Sequence, residues 1–326
     1  MNRLTEHSKA IGFIAWRLGI KPEIIASVLA RQAYPQSLSR FYRRFIIPKS
    51  RNRKRVILAP QGGLRTIQNA IYQRLLRDQK CSDIAHGFVP DRSVITALLP
   101  HHGARIVFLA DMKDAFASVP KKVVRRLMKE FGFKGAALGW MVMFVWEKEY
   151  GLPQGAPTSG MLFNMACQYF DRGLKREAEK YGYQVTRYAD NIIISSAKDE
   201  FPISFKWNAH NVLTVALWED RSHETIDGYW IKFGVGDWDR EKIYGEISEN
   251  RPGRVLGAIL TGDDARLSGK TLRHLRIRAY NAVLADDQNL LNGIKGYLLP
   301  WFGEIPPQVA AAIRKAQSRL ESISAP

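Results

Sequence analysis

Two short segments rich in β-branched residues, 185–188 and 192–196, are separated by only three residues, Ala189-Asp190-Asn191. Such segments are typical of strands, and the small gap predicts a tight hairpin. This feature constrains the fold more than any other, because it requires an antiparallel pair of strands with Asp190 at the tip. A carboxylate held on a rigid hairpin is well placed to bind a metal ion.

A second carboxylate ends another strand. The run Arg105–Asp111 (RIVFLAD) predicts a buried strand that finishes on Asp111. A single aspartate after a strand is most often a turn residue or a helix cap. Two aspartates side by side on one sheet can instead hold two Mg²⁺ ions for phosphoryl or nucleotidyl transfer. The two aspartates alone leave both alternatives open.

Helical and extended patterns alternate along the rest of the chain. Periodicity predicts helices over 8–33, 64–75, 123–131, 135–146, 161–181, 270–285, 289–299 and 306–322, and strands over 45–48, 55–60 and 255–260. Residues 198–250 mix both patterns and predict no definite element. The sequence therefore indicates an α+β fold.

Positive charge is concentrated at the two ends of the chain. The net charge is +18, from 49 Lys and Arg against 31 Asp and Glu. Residues 1–60 contain 13 bases and two acids, residues 61–265 contain 27 and 25, and residues 266–326 contain nine and four. This excess favours a polyanionic partner, with nucleic acid first, although a solvated basic surface is the alternative. The basic ends would grip phosphates and the near-neutral middle would carry the chemistry.

Composition excludes several classes of protein. A hydrophobic content of 46% excludes general disorder. The longest apolar run, 135–146, is too short to span a bilayer, so no membrane partner is expected. The N-terminus has no secretory signal pattern, and two cysteines cannot form a disulfide framework or a zinc cage. A cytoplasmic protein is the expectation.

Ordered sequence blocks around the two aspartates resemble those of reverse transcriptases. Three segments resemble polymerase motifs A, B and C in turn: Asp111–Phe116 (DMKDAF), Leu152–Ser159 (LPQGAPTS) and Tyr188–Asn191 (YADN). Two fingers motifs resemble Lys49 with Lys54–Pro60, and His86–Phe88 with Asp91–Ser93; thumb segments resemble Arg254–Ala258 and Leu291–Leu299. The resemblance covers residues 15–320 approximately, and a set of blocks in this order is far more specific than a lone YxDD motif.

The resemblance implies a right-hand polymerase with fingers, a palm on an antiparallel sheet and a small helical thumb. The implied domains are 1–100 (N-terminal helices and fingers), 101–255 (palm with inserted fingers helices) and 256–326 (thumb). The implied reaction is RNA-templated addition of deoxynucleotides to a primer 3′ end.

The resemblance also assigns roles to individual residues. The catalytic motif residues are Asp111, Asp190 and Asn191, and two Mg²⁺ ions, replaceable by Mn²⁺, would bind Asp111, Asp190 and the Met112 carbonyl. Nucleotide-binding residues would be Lys49, Arg55, Asp114, Ala115, Phe116, Gln154 and Gly155. Nucleic-acid-binding residues would be Arg92, His101, Tyr188 and Lys295. Phe116 would exclude a ribose 2′-hydroxyl, with core packing as its alternative, and His101 would contact RNA or be a structural histidine.

Asn191 departs from the family pattern, which has a second aspartate there. An asparagine oxygen still coordinates a hard cation, but with one negative charge fewer. Retained activity, slowed or shifted toward Mn²⁺, is therefore expected, and a weakened or inactive RNA-binding subunit is the alternative.

The implied partners are those of a compact bacterial enzyme. They comprise an RNA template, expected to be a structured noncoding RNA, a DNA or RNA primer, dNTPs, and an associated defence effector or accessory protein. The chain resembles retron and group II intron-like enzymes most, although His101 alone remains of the retron NAxxH element and Val255-Leu256-Gly257 lacks the threonine of VTG. A related antiphage-defence enzyme is an equal alternative.

Overall fold

The computed structural model describes residues 3–32, 38–48, 54–112, 114–197, 253–256, 258–261, 264–302 and 304–324. The α-helices are α1 (Arg3–Leu18), α2 (Pro22–Gln32), α3 (Gly62–Ile71), α4 (Val94–Leu98), α5 (Lys121–Glu130), α6 (Gly135–Val145), α7 (Ser159–Ala166), α8 (Gln168–Lys180), α9 (Gly269–Leu284), α10 (Gln288–Phe302) and α11 (Pro307–Ser324). The strands are β1 (Tyr42–Pro48), β2 (Lys54–Pro60), β3 (Ile106–Asp111), β4 (Gln184–Tyr188), β5 (Asn191–Ser196), β6 (Gly253–Val255), β7 (Ala258–Thr261) and β8 (Asp264–Leu267).

The central sheet confirms the predicted hairpin. Its three strands are antiparallel in the order β3-β5-β4, and Ala189-Asp190 form the two-residue turn between β4 and β5. In the register of β3 and β5, Asp111 lies opposite Asn191. The sheet therefore brings the two strand ends that carry Asp111 and Asp190 to the same edge.

Helices pack against this sheet to form the main core, which runs from Ile14 to Ile194. Helix α5 is strongly amphipathic: its four apolar side chains are buried, while its lysines and Arg125 are exposed. Helix α6 is almost entirely apolar and packs between α1 and α5. The N-terminal helices and the sheet thus share one core, and the predicted boundary at residue 100 stays a prediction.

Strands β1 and β2 form an antiparallel ribbon that pairs Tyr42 with Pro60 and Pro48 with Lys54. Both predicted strands are present and begin earlier than predicted. The basic segment between them, 49–53, lies outside the described residues. Three consecutive apolar side chains of β1, Phe45 to Ile47, are exposed.

The C-terminal helices α9, α10 and α11 surround a separate core that includes Ala279, Leu298 and Val309. Ser268 caps α9, because its Oγ accepts a hydrogen bond of 3.1 Å from the Thr271 N–H. The prediction of one strand over 255–260 is wrong. Leu256 has a φ of +51°, a left-handed conformation that reverses the chain, so two strands pair as a hairpin.

A small apolar cluster joins the thumb to the sheet. Tyr297 of α10 and Leu256 pack against buried residues that include Val107 and Ile193 of the sheet. Together these parts form an α+β right-hand fold with fingers, palm and thumb, as the sequence indicated. None of the described helices has both the length and the apolar content needed to cross a bilayer.

Candidate active site

The hairpin turn fixes the position of Asp190. Ala189, the first of its two central residues, has a φ of +56°, and the Asp190 carbonyl accepts a 2.9 Å hydrogen bond from the Met112 N–H. This bond ties the tip of the hairpin to the residue that follows Asp111 in the chain. The sequence prediction that the two aspartates are neighbours is therefore met by the backbone of the sheet.

Asn191 lies beside Asp190 and contacts it. The Nδ2 amide of Asn191 donates a hydrogen bond of 3.2 Å to Oδ1 of the Asp190 carboxylate. An aspartate at position 191 could not donate this bond, because an ionised carboxylate only accepts. The asparagine therefore takes part of the acceptor capacity of the carboxylate that is expected to hold the metal.

The donor set fits a hard cation that is completed by substrate. Mg²⁺ is commonly held by one or two carboxylates together with substrate phosphates. The backbone places Asp111, Met112 and Asp190 at this one edge of the sheet. Within the described ranges, no cluster of three or more His, Cys, Asp or Glu residues could hold a metal by itself. Two carboxylate-bearing residues at one edge of a sheet fit a hard divalent cation whose other ligands would come from a substrate.

Gly87 supports the turn from behind. A Cβ at this position would lie 2.5 Å from the Ala189 backbone nitrogen, so only glycine allows the observed approach. The Gly87 carbonyl accepts a 2.7 Å hydrogen bond from Nδ2 of Asn164 in α7. The neighbouring His86 N–H donates to the Arg187 carbonyl at 2.8 Å. The fingers motif at 86–88 therefore packs directly against the hairpin.

A buried ionic network lies beneath the same turn. Arg187 of β4 donates from Nε and Nη2 to the two carboxylate oxygens of Asp171, each at 2.7 Å, and both side chains are fully buried. Its Nη1 donates to the Ala189 carbonyl at 2.8 Å and to Asn164 Oδ1 at 3.1 Å. Burial alone would lower the pKa of Arg187, but the Asp171 carboxylate more than offsets this and raises it. The network therefore anchors the residue immediately before Asp190.

A cleft of about 610 Å³ opens in front of the turn. Five residues predicted to bind metal or nucleotide line it: Arg55, Phe116, Gln154, Gly155 and Asp190. The cleft brings together parts of the chain that are distant in sequence, as a nucleotide site requires.

The motif B loop packs directly on the fingers ribbon. The Leu58 N–H donates to the Gln154 carbonyl at 2.7 Å, and Gly155 has a φ of +105°. A Cβ at Gly155 would lie 2.7 Å from Cγ2 of Ile57, so a larger residue would force the loop and the ribbon apart. The ribbon thereby holds Gln154 and Gly155 at the rim of the cleft.

Two aromatic rings, Phe88 and Phe116, line the cleft, and the buried ring of Phe163 supports them. Phe116 stacks on Phe163 with ring centroids 4.9 Å apart and an angle of 20° between the ring planes. Phe88 meets Phe116 edge to face, with centroids 5.8 Å apart. The Arg187 guanidinium lies 5.4 Å from the centroid of the Phe163 ring. The aromatic rings at the cleft and the hairpin turn therefore rest on one connected set of side chains.

The surroundings of His101 are fully described. This side chain is only 2% exposed, with Nδ1 2.7 Å from Ser195 Oγ and Nε2 2.7 Å from Thr186 Oγ1. Thr186 donates its hydroxyl proton to the Ala97 carbonyl at 2.8 Å, so it accepts from His101, and Ser195 donates to Nδ1. Burial lowers the pKa of His101 to about 3. Its burial and its two hydrogen bonds favour the structural alternative, and a contact with RNA stays a prediction.

Other predicted residues lie away from the cleft. Ala115 is 3% exposed and its side chain packs in the main core, and Asp114 is exposed; neither is among the residues that line the cleft, and their nucleotide-binding roles stay predictions. Nη1 of Arg92 donates to the carbonyls of Ser82, Asp83 and Ala85, and the role of Arg92 in binding nucleic acid stays a prediction.

The remaining assignments stay predictions. Tyr188 is half-buried against the cluster that joins palm and thumb, and Lys295 is half-exposed on α10. Lys49 lies outside the described residues.

Sequence reasoning missed the supporting residues Asn164, Asp171, Arg187 and Phe88. Asn164 could have been suspected, because it is the one strongly polar side chain in the apolar run LFNMA. Asp171 and Arg187 are charged residues in ordinary amphipathic surroundings, where an exposed position is the default. Phe88 was recognised as part of a motif, but no pattern in the sequence predicts that its ring lies in the cleft.

Comparison with known proteins agrees with this geometry. The family described as reverse transcriptase (RNA-dependent DNA polymerase) matches residues 47–214, slightly more than half of the 326 residues, and the chain belongs to this family. The match includes the second strand of the ribbon, motifs A, B and C, and the hairpin.

Several of the curated relatives are retron enzymes. The Retron Mx65 reverse transcriptase of Myxococcus xanthus is 34% identical over 178 residues, covering 49% of this chain and 42% of the relative. The Retron Mx162 enzyme of the same organism is 31% identical, covering 49% and 37%. The Retron Ec86 enzyme of Escherichia coli is 28% identical, covering 48% and 49%. The chain therefore spans at most about half the length of these relatives.

Proposed function

We propose that the chain is an RNA-directed DNA polymerase, which adds dNMPs to a primer 3′ end on an RNA template. One observation carries the proposal: the palm register sets Asp111 opposite Asn191 and next to Asp190, at the edge of a cleft that contains Phe116 and the motif B loop. Membership of the reverse transcriptase family supports the same reaction.

The chemistry follows from the residues around the cleft. The primer 3′-oxygen forms a bond to the α-phosphorus of the dNTP, the bond to the bridging oxygen breaks, and pyrophosphate leaves. Asp111, Asp190 and the Met112 carbonyl would hold two Mg²⁺ ions, which, when bound, supply activation of the 3′-hydroxyl and charge neutralisation at the pyrophosphate. Arg55 is exposed at the cleft and would pair with triphosphate oxygens. Phe116 would lie under the sugar, and Gln154 and Gly155 would contact the nucleotide or the primer–template.

The template and setting are part of the proposal. Relatives that carry the name retron favour a retron-like or defence system, in which a structured noncoding RNA is the template and a DNA or RNA primer is extended. The basic N-terminal segment and the thumb would hold this RNA through phosphate contacts. An associated defence effector or accessory protein would complete the system in the cytoplasm.

Primer extension on poly(rA)/oligo(dT) tests the activity with Mg²⁺ and, separately, with Mn²⁺. We expect dTTP incorporation with at least one metal, and its loss in the Asp190→Asn variant. No incorporation with either metal, while RNA binding is intact, would reject the enzyme and favour a reverse transcriptase-like RNA-binding subunit. Activity that survives in Asp190→Asn would reject the metal assignment.

A further inference from the structure

Phe88 has a backbone conformation that aromatic residues rarely adopt. Its φ is +62°, in the left-handed region where Cβ crowds the following carbonyl. Burial does not explain this conformation, because Phe88 is 51% exposed and lines the cleft. Residues held in such conformations concentrate at functional sites, where the surrounding structure enforces them.

The bend places the ring of Phe88 against Gly160, at the start of α7. No room remains for a side chain at residue 160, because a Cβ on Gly160 would overlap Cβ and Cγ of Phe88. Gly160 itself is buried and directly follows the motif B block. The position of the Phe88 ring therefore depends on the absence of a side chain at residue 160.

From this position the ring of Phe88 contacts the ring of Phe116 edge to face. The two rings meet at an angle of 88°, with centroids 5.8 Å apart. Phe163, which is fully buried, covers one face of Phe116 at 4.9 Å. Edge-to-face and offset-stacked pairs are the favoured arrangements of aromatic rings. Phe116 is thus held by one ring from below and by a second ring at its edge.

We propose that Phe88 is a specificity-determining residue that fixes the Phe116 ring, so that the gate against ribose consists of two rings. The proposal rests on the proposed function, in which Phe116 lies under the nucleotide sugar. A ring that is clamped on two sides cannot move aside for a 2′-hydroxyl, whereas a ring held only by Phe163 can turn. Gly160 is then a positioning residue that acts through Phe88.

Nucleotide binding to a blocked complex tests the proposal without requiring chemistry. The full chain is bound to poly(rU) with an oligo(dA) primer that ends in a dideoxynucleotide, and dATP or ATP is titrated in Mg²⁺. The measured quantity is the ratio of the dissociation constants of dATP and ATP. These two nucleotides have the same base and the same triphosphate. The variants are Phe88→Gly, Phe88→Tyr, Gly160→Ala and the double variant Phe88→Gly/Gly160→Ala. Phe88→Gly keeps the left-handed bend, since glycine adopts it freely.

We expect wild type to prefer dATP, and Phe88→Gly or Gly160→Ala each to reduce this preference by about tenfold, a typical limit for small steric differences in a pocket. Phe88→Tyr keeps the ring and should keep the preference. The double variant should lose no more than either single variant, because Gly160 acts only through the ring. Gly139→Ala, in α6 with no atom near the added methyl group, should behave as wild type.

Three results would overturn the proposal: no preference in wild type, an unchanged preference in Phe88→Gly, or additive losses in the double variant. Thermal melting of each variant shows whether the protein is folded. An unblocked primer run in parallel separates this proposal from the proposed function. If wild type discriminates between dATP and ATP but extends no primer, the polymerase assignment fails and the two-ring gate stands.

Discussion

Arg187 and Asp171 form a bidentate ion pair with two bonds of 2.7 Å, in which neither side chain is exposed to solvent. The third nitrogen of the guanidinium reaches the Ala189 carbonyl at 2.8 Å. A buried charge is expensive unless it is paired and hydrogen-bonded, and each nitrogen of the Arg187 guanidinium has a hydrogen-bond partner. The ion pair therefore allows a rigid five-donor group to be placed under the turn that carries Asp190.

Removing the partner should be costly. Asp171→Asn leaves the buried guanidinium without a counter-charge, and we expect the free energy of unfolding to fall by about 3–5 kcal/mol. Denaturant titration measures this loss. A change below about 1 kcal/mol would mean that Arg187 is solvated or paired elsewhere.

Arg187→Lys separates anchoring of the turn from stability. Lysine retains the charge but cannot reach Asp171, Asn164 and Ala189 together, because it lacks the planar fork. We expect Arg187→Lys to lose more primer-extension activity than its loss in free energy of unfolding alone would explain. The control is Leu127→Ala, a core substitution on α5 expected to cost about 2–5 kcal/mol. Equal activity losses in the two variants, measured below both melting temperatures, would reject the anchoring role.

Gly87→Ala should damage the site more than the fold. The added methyl group would meet the Ala189 nitrogen at 2.5 Å and push the turn away from its observed position. A displacement of about 1 Å in a catalytic group commonly costs about 100-fold in rate. Primer extension with Mg²⁺ measures the effect, and Gly139→Ala on α6 is the matched control. Activity within twofold of wild type would show that the turn tolerates movement.

Asn191→Asp restores a second acidic residue beside Asp190. It removes the amide donor to Asp190 Oδ1 and adds a negative charge near the expected metals. We expect equal or higher activity with Mg²⁺ and a smaller advantage for Mn²⁺. The ratio of extension rates in the two metals measures the shift. A loss of activity in both metals would show that the site has adapted to asparagine.

His101 should make stability depend on acid. Burial lowers its pKa to about 3 from an ordinary value of 6.5. The unfolded chain therefore binds a proton at this residue below pH 6.5 while the folded chain does not, and stability is lost as the pH falls from 6.5 to 3. His101→Gln removes the titration and should reduce the slope by about 1.4 kcal/mol per pH unit within that window.

Urea unfolding between pH 4 and 6 measures this slope. His86 provides a second case, because burial lowers its pKa from 6.5 to about 4. His86→Gln should therefore reduce the pH dependence of stability only between pH 4 and 6.5. An unchanged slope in His101→Gln would show that the imidazole is protonated in the folded chain.

Salt dependence should report the basic ribbon. Arg43 and Arg44 of β1 are exposed, and each is expected to contact one phosphate. Replacing both with Gln should reduce the slope of log K against log salt for single-stranded RNA by about 1.4, at about 0.7 per contact. Arg65→Gln/Arg77→Gln removes equal charge from exposed positions outside the ribbon. Equal slopes in the two double variants would reject a specific role for the ribbon.

Local patterns predicted the elements that determine the site, because their signals lie within short segments. The β-branched runs around Ala189-Asp190, the strand ending on Asp111 and the motif B loop all lie where the sequence indicated. Long-range side-chain contacts were not predictable. Nothing near Arg187 in the sequence identifies Asp171 as its partner 16 residues away, and nothing near His101 identifies Ser195. The left-handed turn at Leu256 was missed because leucine normally avoids that conformation.

Asn164 donates to the Gly87 carbonyl and accepts from Arg187, so a single amide joins the fingers motif, the helix after motif B and the palm hairpin. No other side chain of similar size offers both a donor and an acceptor in this geometry. In evolutionary terms, Gly87, Asn164, Asp171 and Arg187 should be inherited as one unit. A lineage that loses one of them should lose the others, and aligned homologues can be inspected for this joint substitution.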